Sequence, residues 1–228
     1  MNITLDQNVS RIRGLWTAEG YSPLRVSDPE KVRRLFGLPA LKQKFNPGES
    51  YTLPLSFARE RLPLLSVGTR REVGRLISGS RRLWRDTFKN IVVNEGLNRL
   101  LGSTLAGETV VTAWYIGLTS SSPTVVAGDT LDIHAGWTEI ANYDETNRVL
   151  WVDGGVAAQS VTNPSASRFT ISATVTIGGA FLASVNPVTG SPATEGFLYA
   201  AGAFTAGNKT LNDNDTLDVT ATFTAAAA

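Results

Sequence analysis

The sequence contains no cysteine and only one histidine, His134, among its 228 residues. Without cysteine there is no disulfide framework, no thiolate zinc site and no thiol nucleophile. Catalytic triads, zinc sites and most proton shuttles need a positioned histidine, and we expect His134 to pack or hydrogen-bond locally instead. No apolar run reaches the length of a membrane-spanning helix. The first residues lack the basic and apolar regions of a signal peptide, so none is expected.

Motifs that carry chemistry are equally scarce. Neither a phosphate-binding P-loop nor a strand-linked Gly-x-Gly-x-x-Gly motif occurs. Adjacent Asp144 and Glu145 point apart in an extended chain; a glycosidase pair assembled in space stays open, but nothing favours one. The best metal-like cluster, Asp213–Asp218, lacks the glycine and the final glutamate of an EF-hand, and we favour a turn over a calcium site. We therefore expect no enzyme activity, no metal and no cofactor.

The net charge of +1 hides a strong asymmetry. Residues 1–104 hold 18 Lys and Arg against 9 Asp and Glu, whereas residues 105–228 hold 3 against 11. The first part therefore carries +9 and the second −8. Surfaces of opposite charge suggest different partners, or else head-to-tail contact between copies or solubility alone. We predict a basic N-terminal region over 1–104 and a β domain over 105–228.

The stretch Leu83–Leu101 joins the two parts. Alternation of apolar and polar residues predicts a strand over 83–92, with Trp84 and Phe88 on one face. The period then changes, and a short helix is predicted over 94–101. Asn94 is its expected N-cap and Glu95 lies in its first turn. Its expected apolar face is Leu97, Leu100 and Leu101, and Gly102 is its expected end.

The second part is rich in Ala, Gly, Thr, Ser and Val, with short alternating runs between turn residues. It predicts a mainly β fold, with a β-sandwich or jelly-roll-like domain. The candidate strands are Ala113–Leu118, Arg148–Val152, Arg168–Ile177, Ala180–Val185, Gly196–Phe204 and Thr216–Phe223. Phe169, Ile171, Ala173, Val175 and Ile177 are expected in the core together with Phe181 and Phe204, and Thr170, Ser172, Thr174 and Thr176 in solvent. Thr130–Thr138 is expected to be irregular and to carry Trp137, and Ala225–Ala228 to fray.

Several short segments of the sequence, taken together in their order and spacing, resemble segments of a group of tailed-bacteriophage structural proteins. They are Trp84–Asn90, Val93–Asn98 with Leu100 and Leu101, Trp114–Leu118, Ala127–Leu131, His134–Glu139, Gly179–Leu182, Leu198–Ala200 and Asp215–Val219. The resemblance covers about the last 145 residues. It implies a virion component with a small β domain and implies no chemistry.

The N-terminal part of the chain is predicted to be an arm followed by a strand within residues 1–26, and the resemblance suggests how this strand relates to the one at 83–92. Arg13-Gly-Leu-Trp16 echoes Arg81-Arg-Leu-Trp84, and in the resembling proteins two such segments lie close in sequence, as in a hairpin. We predict an insertion of about residues 22–80 between the two strands, unless the four-residue match is coincidence. This arm is expected to be basic, with partly helical and extended segments. The β domain, about residues 105–225, is expected to fold without the front part.

The resulting hypothesis is a capsid decoration or cement protein on the virion surface, made in the host cytoplasm and forming homo-oligomers. The major capsid protein or a neighbouring virion protein is the expected partner, and the expected contacts are Arg33, Arg34, Tyr51, Phe57, Arg59, Arg61, Arg70 and Arg71, with arginines pairing with carboxylates. The alternatives are a neck, adaptor or tail component, and a receptor- or glycan-binding domain that stacks sugars on Trp114, Tyr115 and Trp137. Nucleic acid, with Trp16, Trp84 and Phe36 as stacking residues, ranks below a protein partner. No membrane partner is expected.

Overall fold

The computed structural model describes residues 11–22, 24–26, 51–53, 82–186 and 196–226. The chain is mainly β, and every strand pair formed by the described residues is antiparallel. The elements are β1 (Arg11–Tyr21), β2 (Leu24–Val26), β3 (Tyr51–Leu53), β4 (Arg82–Val92), α1 (Asn94–Leu105), β5 (Trp114–Thr119), β6 (Glu139–Ile140), β7 (Val149–Trp151), β8 (Val156–Ala157), β9 (Ser160–Thr162), β10 (Ser167–Thr170), β11 (Val175–Ile177), β12 (Gly179–Ala183), β13 (Leu198–Ala203), β14 (Lys209–Leu211) and β15 (Thr216–Ala226). No helix in these ranges is both long and apolar enough to cross a membrane.

Three long strands form the centre of the large sheet. β1 pairs with β15 along its whole length and with β4 on its other side, with Trp16 opposite Phe88. Alternation decides which side chains turn inward, as predicted: Trp16 and Phe88 are fully buried, whereas Leu15 is 53% exposed. The antiparallel pairing that the hairpin interpretation predicts is therefore present, although Trp84 lies opposite Gly20 rather than Trp16.

Strands from the two sides of the large sheet contact each other. Its path runs β6-β5-β12-β13-β4-β1-β15-β9-β8, with β7 also paired to β5 and β10 also paired to β15. β7 and β10, which both lie off this path, are in contact, since the Ser167 hydroxyl donates to the Leu150 carbonyl at 3.0 Å. The inward faces enclose one core, in which Trp16, Trp151 and Phe223 make edge-to-face ring contacts.

β12 is buried on both faces, which explains five consecutive buried residues. Leu182 faces the main core, whereas Phe181 contributes to a second cluster with Trp137. Trp137 belongs to an irregular segment between β5 and β6, as predicted for Thr130–Thr138, and is 4% exposed. The prediction that Phe169, Phe181 and Phe204 are core residues is confirmed.

The single strand predicted over Arg168–Ile177 is wrong. β10 ends at Thr170, and β11 begins only at Val175. Between them the backbone turns to the loop before β15, where the Ile171 N–H donates to Asp215 O at 2.8 Å. The alternation is consequently lost: Ala173 is exposed, whereas Thr170 is only 8% exposed.

The prediction for α1 needs three corrections. Val93 is the N-cap, and no side-chain hydrogen bond caps the helix. The helix passes through Gly102 and ends at Leu105. Its buried residues are Gly96 and Gly102, whereas Leu101 is 55% exposed. The helix packs through glycine because a Cβ at residue 96 would lie 2.3 Å from the Tyr199 carbonyl oxygen.

The described residues show no separate core on either side of residue 104. β1 and β4 lie between β13 and β15 in the sheet, and Trp16 and Phe88 share their core with Phe169 and Phe223. Removal of residues 1–104 would take β1 and β4 from the middle of the sheet, so the independent folding of residues 105–225 stays a prediction. The predicted fraying is also wrong for Ala225 and Ala226, which pair with Ile12 and Arg11.

Candidate functional site

The two ends of the long strands β1 and β4 differ in the residues that surround them. At one end β1 stops at Tyr21 and β4 starts at Arg82, so the 60 residues between them leave and return there. We call this the arm end. At the other end β4 passes into α1, and we call this the helix end. An 11-residue strand at about 3.3 Å per residue separates the two by roughly 35 Å.

Glu19 ties together both strands at the arm end. Its carboxylate accepts a hydrogen bond from the Tyr21 hydroxyl at 2.5 Å and another from Arg82 at 3.1 Å, and Arg85 lies 3.4 Å away. Burial and the nearby Glu19 carboxylate raise the pKa of Tyr21 to about 12. The last residue of β1 and the first residue of β4 therefore contact the same carboxylate, which fixes the base of the arm.

A row of four charged residues crosses four strands beside this base, with two arginines at its ends and two carboxylates between them. Glu19 lies opposite Arg85 on one side and Asp218 on the other, and Asp218 lies opposite Arg168. The Arg168–Asp218 pair is bidentate, with both contacts at 2.6 Å, and it raises the pKa of the Arg168 guanidinium above its usual value. Each of the two arginines is therefore paired with a carboxylate of the same chain, whereas Glu19 and Asp218 lie opposite each other.

The residues predicted to bind a partner are mostly not part of this geometry. Arg33, Arg34, Phe57, Arg59, Arg61, Arg70 and Arg71 lie outside the described residues. Tyr51 begins β3, and its backbone pairs with Val26 in β2. The structure thus describes the base of the arm and a two-stranded ladder close to it in the chain.

The helix end contains an apolar pocket of about 240 Å³. Its lining combines the helix, the segment that follows it and six strands: Arg99, Leu100, Ser103, Val110, Val111, Trp114, Trp151, Val161, Leu182, Tyr199 and Phe223. The Trp114 and Tyr199 rings meet edge to face at 5.2 Å, and burial raises the pKa of Tyr199. Leu100 and Val110, which are 37% and 62% exposed, lie where the pocket meets solvent.

Among the lining residues, only Trp114 was predicted from the sequence as a candidate for ligand binding. Of the other two residues predicted to stack on sugars, Tyr115 is half-buried and is not a lining residue. Trp137 is buried, packs 5.0 Å from Phe181 and donates its indole N–H to Asp129 at 3.0 Å, so its ring is not available to a sugar. The pocket escaped prediction because its walls come from segments between Arg99 and Phe223 that meet only in three dimensions.

A more polar recess of about 400 Å³ lies beside the first turn of α1. The Glu95 carboxylate lies in its wall and accepts hydrogen bonds from the backbone N–H groups of Leu131 and Leu198, at 3.0 and 2.6 Å. Arg99 pairs with Glu108 at 2.8 Å and stacks on the Phe197 ring at 4.5 Å. These charged groups already have partners in the chain, and Glu95 joins the segment at Leu131 and the start of β13 to the helix.

The candidates for chemistry have structural roles. His134 stacks on Trp137 at 3.7 Å, and its Nδ1 atom lies 2.9 Å from the Trp137 carbonyl oxygen, which confirms local packing. The Asp213 segment forms the predicted turn, in which the Asn212 N–H donates to Asp215 at 2.7 Å and Asn214 has a φ of 65°. Within the described ranges, no group of three or more His, Cys, Asp or Glu side chains could hold a metal ion.

Two aromatic residues considered for nucleic-acid stacking are unsuited to it. Trp16 is fully buried in the main core. The ring of Trp84 covers Gly20 and packs 5.5 Å from Phe204. Phe36 lies outside the described residues.

No protein-family model matches this chain. No curated protein matches it.

Proposed function

We propose that this protein is a structural component of a tailed-bacteriophage virion, a decoration or cement protein that attaches to the capsid surface through its basic arm. The observation that carries the proposal is the pairing of β1 with β4. Sixty residues separate two strands that lie side by side in the middle of the sheet. A segment inserted there can vary in length without changing the sheet, so it is well placed to reach a partner.

The roles of the residues that carry the phage resemblance support the proposal. Trp84 and Phe88 pack in or against the main core, Trp137 and Phe181 belong to the second cluster, and Glu95 joins Leu131 and the start of β13 to the helix. All five residues stabilise the fold. Such a pattern fits a protein whose function is to occupy a place in an assembly.

Charge supports attachment through the arm. Residues 1–104 carry +9, and the described arginines near the base of the arm, Arg82 and Arg85, already contact Glu19. We propose that the arginines at 33, 34, 59, 61, 70 and 71 pair with carboxylates of the major capsid protein or a neighbouring virion protein, flanked by Tyr51 and Phe57. In the proposed assembly the β domain is a sandwich-like, oligomeric knob, and repeated weak contacts add up over the shell.

Deletion of residues 27–79 tests the proposal. The deletion leaves residues 22–26 and 80–81, a connection of seven residues, to join the adjacent ends of β1 and β4. We expect a cooperatively folded protein with the circular dichroism of a β domain that no longer binds DNA-free shells of the phage that encodes it. Shell binding by the deleted protein would refute attachment through the arm.

Charge reversal separates protein from nucleic-acid binding. Changing Arg33, Arg34, Arg70 and Arg71 to Glu should weaken shell binding, and salt should weaken binding by the unmodified protein, since exposed charges are screened over about 8–10 Å at ordinary ionic strength. The exposed Lys89→Glu change on the outer face of β4 is the control and should leave shell binding unchanged. Retention on duplex DNA but not on shells would refute the proposal.

A neck, adaptor or tail component is the alternative position in the virion. Quantifying the protein against the major capsid protein in purified particles distinguishes the two. Decoration predicts hundreds of copies, whereas a neck or tail position predicts a dozen or fewer.

A glycan-binding role is the other alternative, because Trp114 lines the helix-end pocket. A glycan array tests this role directly. Binding lost on Trp114→Ala would favour it.

A further inference from the structure

The helix α1 turns its leucines away from the sheet. It packs on β13 through Gly96, and its second buried residue is Gly102. Leu101 and Leu105 are 55% and 79% exposed, and Leu97, which is half-buried, precedes Leu101 by one turn. A spacing of four residues aligns these three leucines along one side of the helix, which we call the leucine face. Apolar surface gains free energy when it is removed from water, so this face favours a partner.

The leucine face carries no charge. The two charged residues of α1 are Glu95 and Arg99, and both contact groups of their own chain. Glu95 accepts hydrogen bonds from the backbone N–H groups of Leu131 and Leu198, and Arg99 pairs with Glu108. A partner that is recognised through its charge would therefore bind elsewhere on the protein, whereas an uncharged apolar face suits another face of the same kind.

The row of leucines also fits an identical row. Leu97, Leu101 and Leu105 form a ridge of residues spaced by four, and such ridges interdigitate when both helices present them. The helix axes then lie about 8–10 Å apart and cross at about 50°. A second copy of the chain supplies the matching ridge, because a two-fold axis beside Leu101 brings the same surface of both copies together.

The exposed apolar area is close to what a stable contact of this kind requires. The rim of the helix-end pocket extends the leucine face, since Leu100 and Val110 are 37% and 62% exposed. Together with Leu101 and Leu105 they expose on the order of 400 Å² of apolar surface, which is the size of the largest patch on a typical monomer. A standard interface buries about 800 Å² per partner, of which roughly 450 Å² is apolar.

We propose that the leucine face pairs with the leucine face of a second copy, so that the protein forms a two-fold symmetric dimer. The arm end lies roughly 35 Å from the helix end, which leaves both arms of the dimer free to bind a partner. The inference names the interface of the oligomer in the proposed function and rests on that part of it. The dimer is measured on the free protein, whereas attachment through the arm is measured on shells.

Sedimentation velocity of the purified full-length chain tests the proposal. We expect a dimer, and Leu101→Arg should raise its dissociation constant at least about 100-fold, because two like charges would meet across the interface. Leu83→Arg is the matched control, since Leu83 is a 43% exposed leucine on β4 near the arm end, and it should leave the dissociation constant unchanged. Both positions are exposed, so both variants should keep the circular dichroism and the cooperative melt of the unmodified protein.

Opposite charges at residue 101 separate loss of pairing from loss of folding. Leu101→Lys and Leu101→Glu should each be monomeric alone, because the two copies would set like charges against each other. An equimolar mixture of the two variants should form a dimer, since the charges that meet are then opposite. If the mixture stays monomeric while the unmodified protein dimerises, Leu101 does not lie beside the two-fold axis and the pairing is wrong.

The other possible occupants of the leucine face give different results. A monomeric unmodified protein would overturn the proposal, and loss of its shell binding on Leu101→Arg would assign the face to a virion protein. Equal effects of Leu101→Arg and Leu83→Arg would also overturn it. A monomer that still binds shells through its arm would refute the dimer alone, whereas a dimer that does not bind shells would refute the attachment alone.

Discussion

The side chain of Asn163 takes the place of a missing strand residue. β15 pairs with β10 up to Val219 and with β9 from Thr222, so its backbone changes partner between them. Across this gap the Ala221 N–H donates to the Asn163 side-chain oxygen at 2.7 Å, and the Asn163 amide donates to the Val219 carbonyl at 3.1 Å. Asn163 is 1% exposed, so the amide acts as one buried rung of the ladder.

Asn163→Ala would leave the Ala221 N–H and the Val219 C=O without these partners in a buried place. An unsatisfied buried polar group costs about 1–3 kcal/mol, so the two together should lower the free energy of unfolding by about 2–6 kcal/mol. Asn163→Asp keeps the acceptor for Ala221 but sets a carboxylate against the Val219 carbonyl. The loss in free energy of unfolding caused by Asn163→Asp should therefore become smaller as the pH falls and the carboxyl group is protonated.

Urea denaturation monitored by fluorescence measures these losses, provided that the slopes of the transitions agree. Asn208→Ala is the matched control, because Asn208 also makes an amide pair, with the N–H and hydroxyl of Ser122, but is exposed. Water can replace those bonds, and we expect a change below about 1 kcal/mol. If Asn163→Ala and Asn208→Ala cost the same, the account of Asn163 as a buried rung is wrong.

Two further predictions concern a close approach and a titration. A Cβ at Gly117 would lie 2.2 Å from the fully buried Phe181 ring, so Gly117→Ala should lower the free energy of unfolding by about 1–3 kcal/mol, measured by thermal or urea unfolding. Gly128→Ala is the control, because open space surrounds Gly128, and it should leave the free energy of unfolding unchanged. Equal effects of the two changes would contradict this prediction. The pKa of Tyr21 is raised from 10.0 to about 12, so the stability that its proton contributes is complete below pH 10 and is lost as the pH rises to about 12. Tyr21→Phe should therefore remove one late-titrating phenol from the tyrosinate absorbance curve, and removal of a phenol that titrates near pH 10 would refute the contact with Glu19.

Local chemistry in the sequence determined much of the fold. Alternation in residues 13–20 and 83–92 identified the faces of β1 and β4, because a strand repeats every two residues. Turn-forming Asn and Asp identified the turn at Asn212–Asp215, and the aromatic residues of the second part identified core positions. Each of these signals arises within a few neighbouring residues, so the sequence alone contains it.

Tertiary structure decided the rest. The helical spacing of Leu97, Leu100 and Leu101 predicted that Leu101 would face the core, but α1 packs on β13 through Gly96. The spacing of apolar residues shows which residues share a face of the helix, but not which face packs against a neighbouring strand. The charge change near residue 104 suggested two domains, yet β1 completes the sheet between β4 and β15, because strand pairing joins residues that are distant in sequence. The helix-end pocket likewise exists only where eight segments of the chain meet, and strand pairing in three dimensions, which the sequence does not reveal, brings them together.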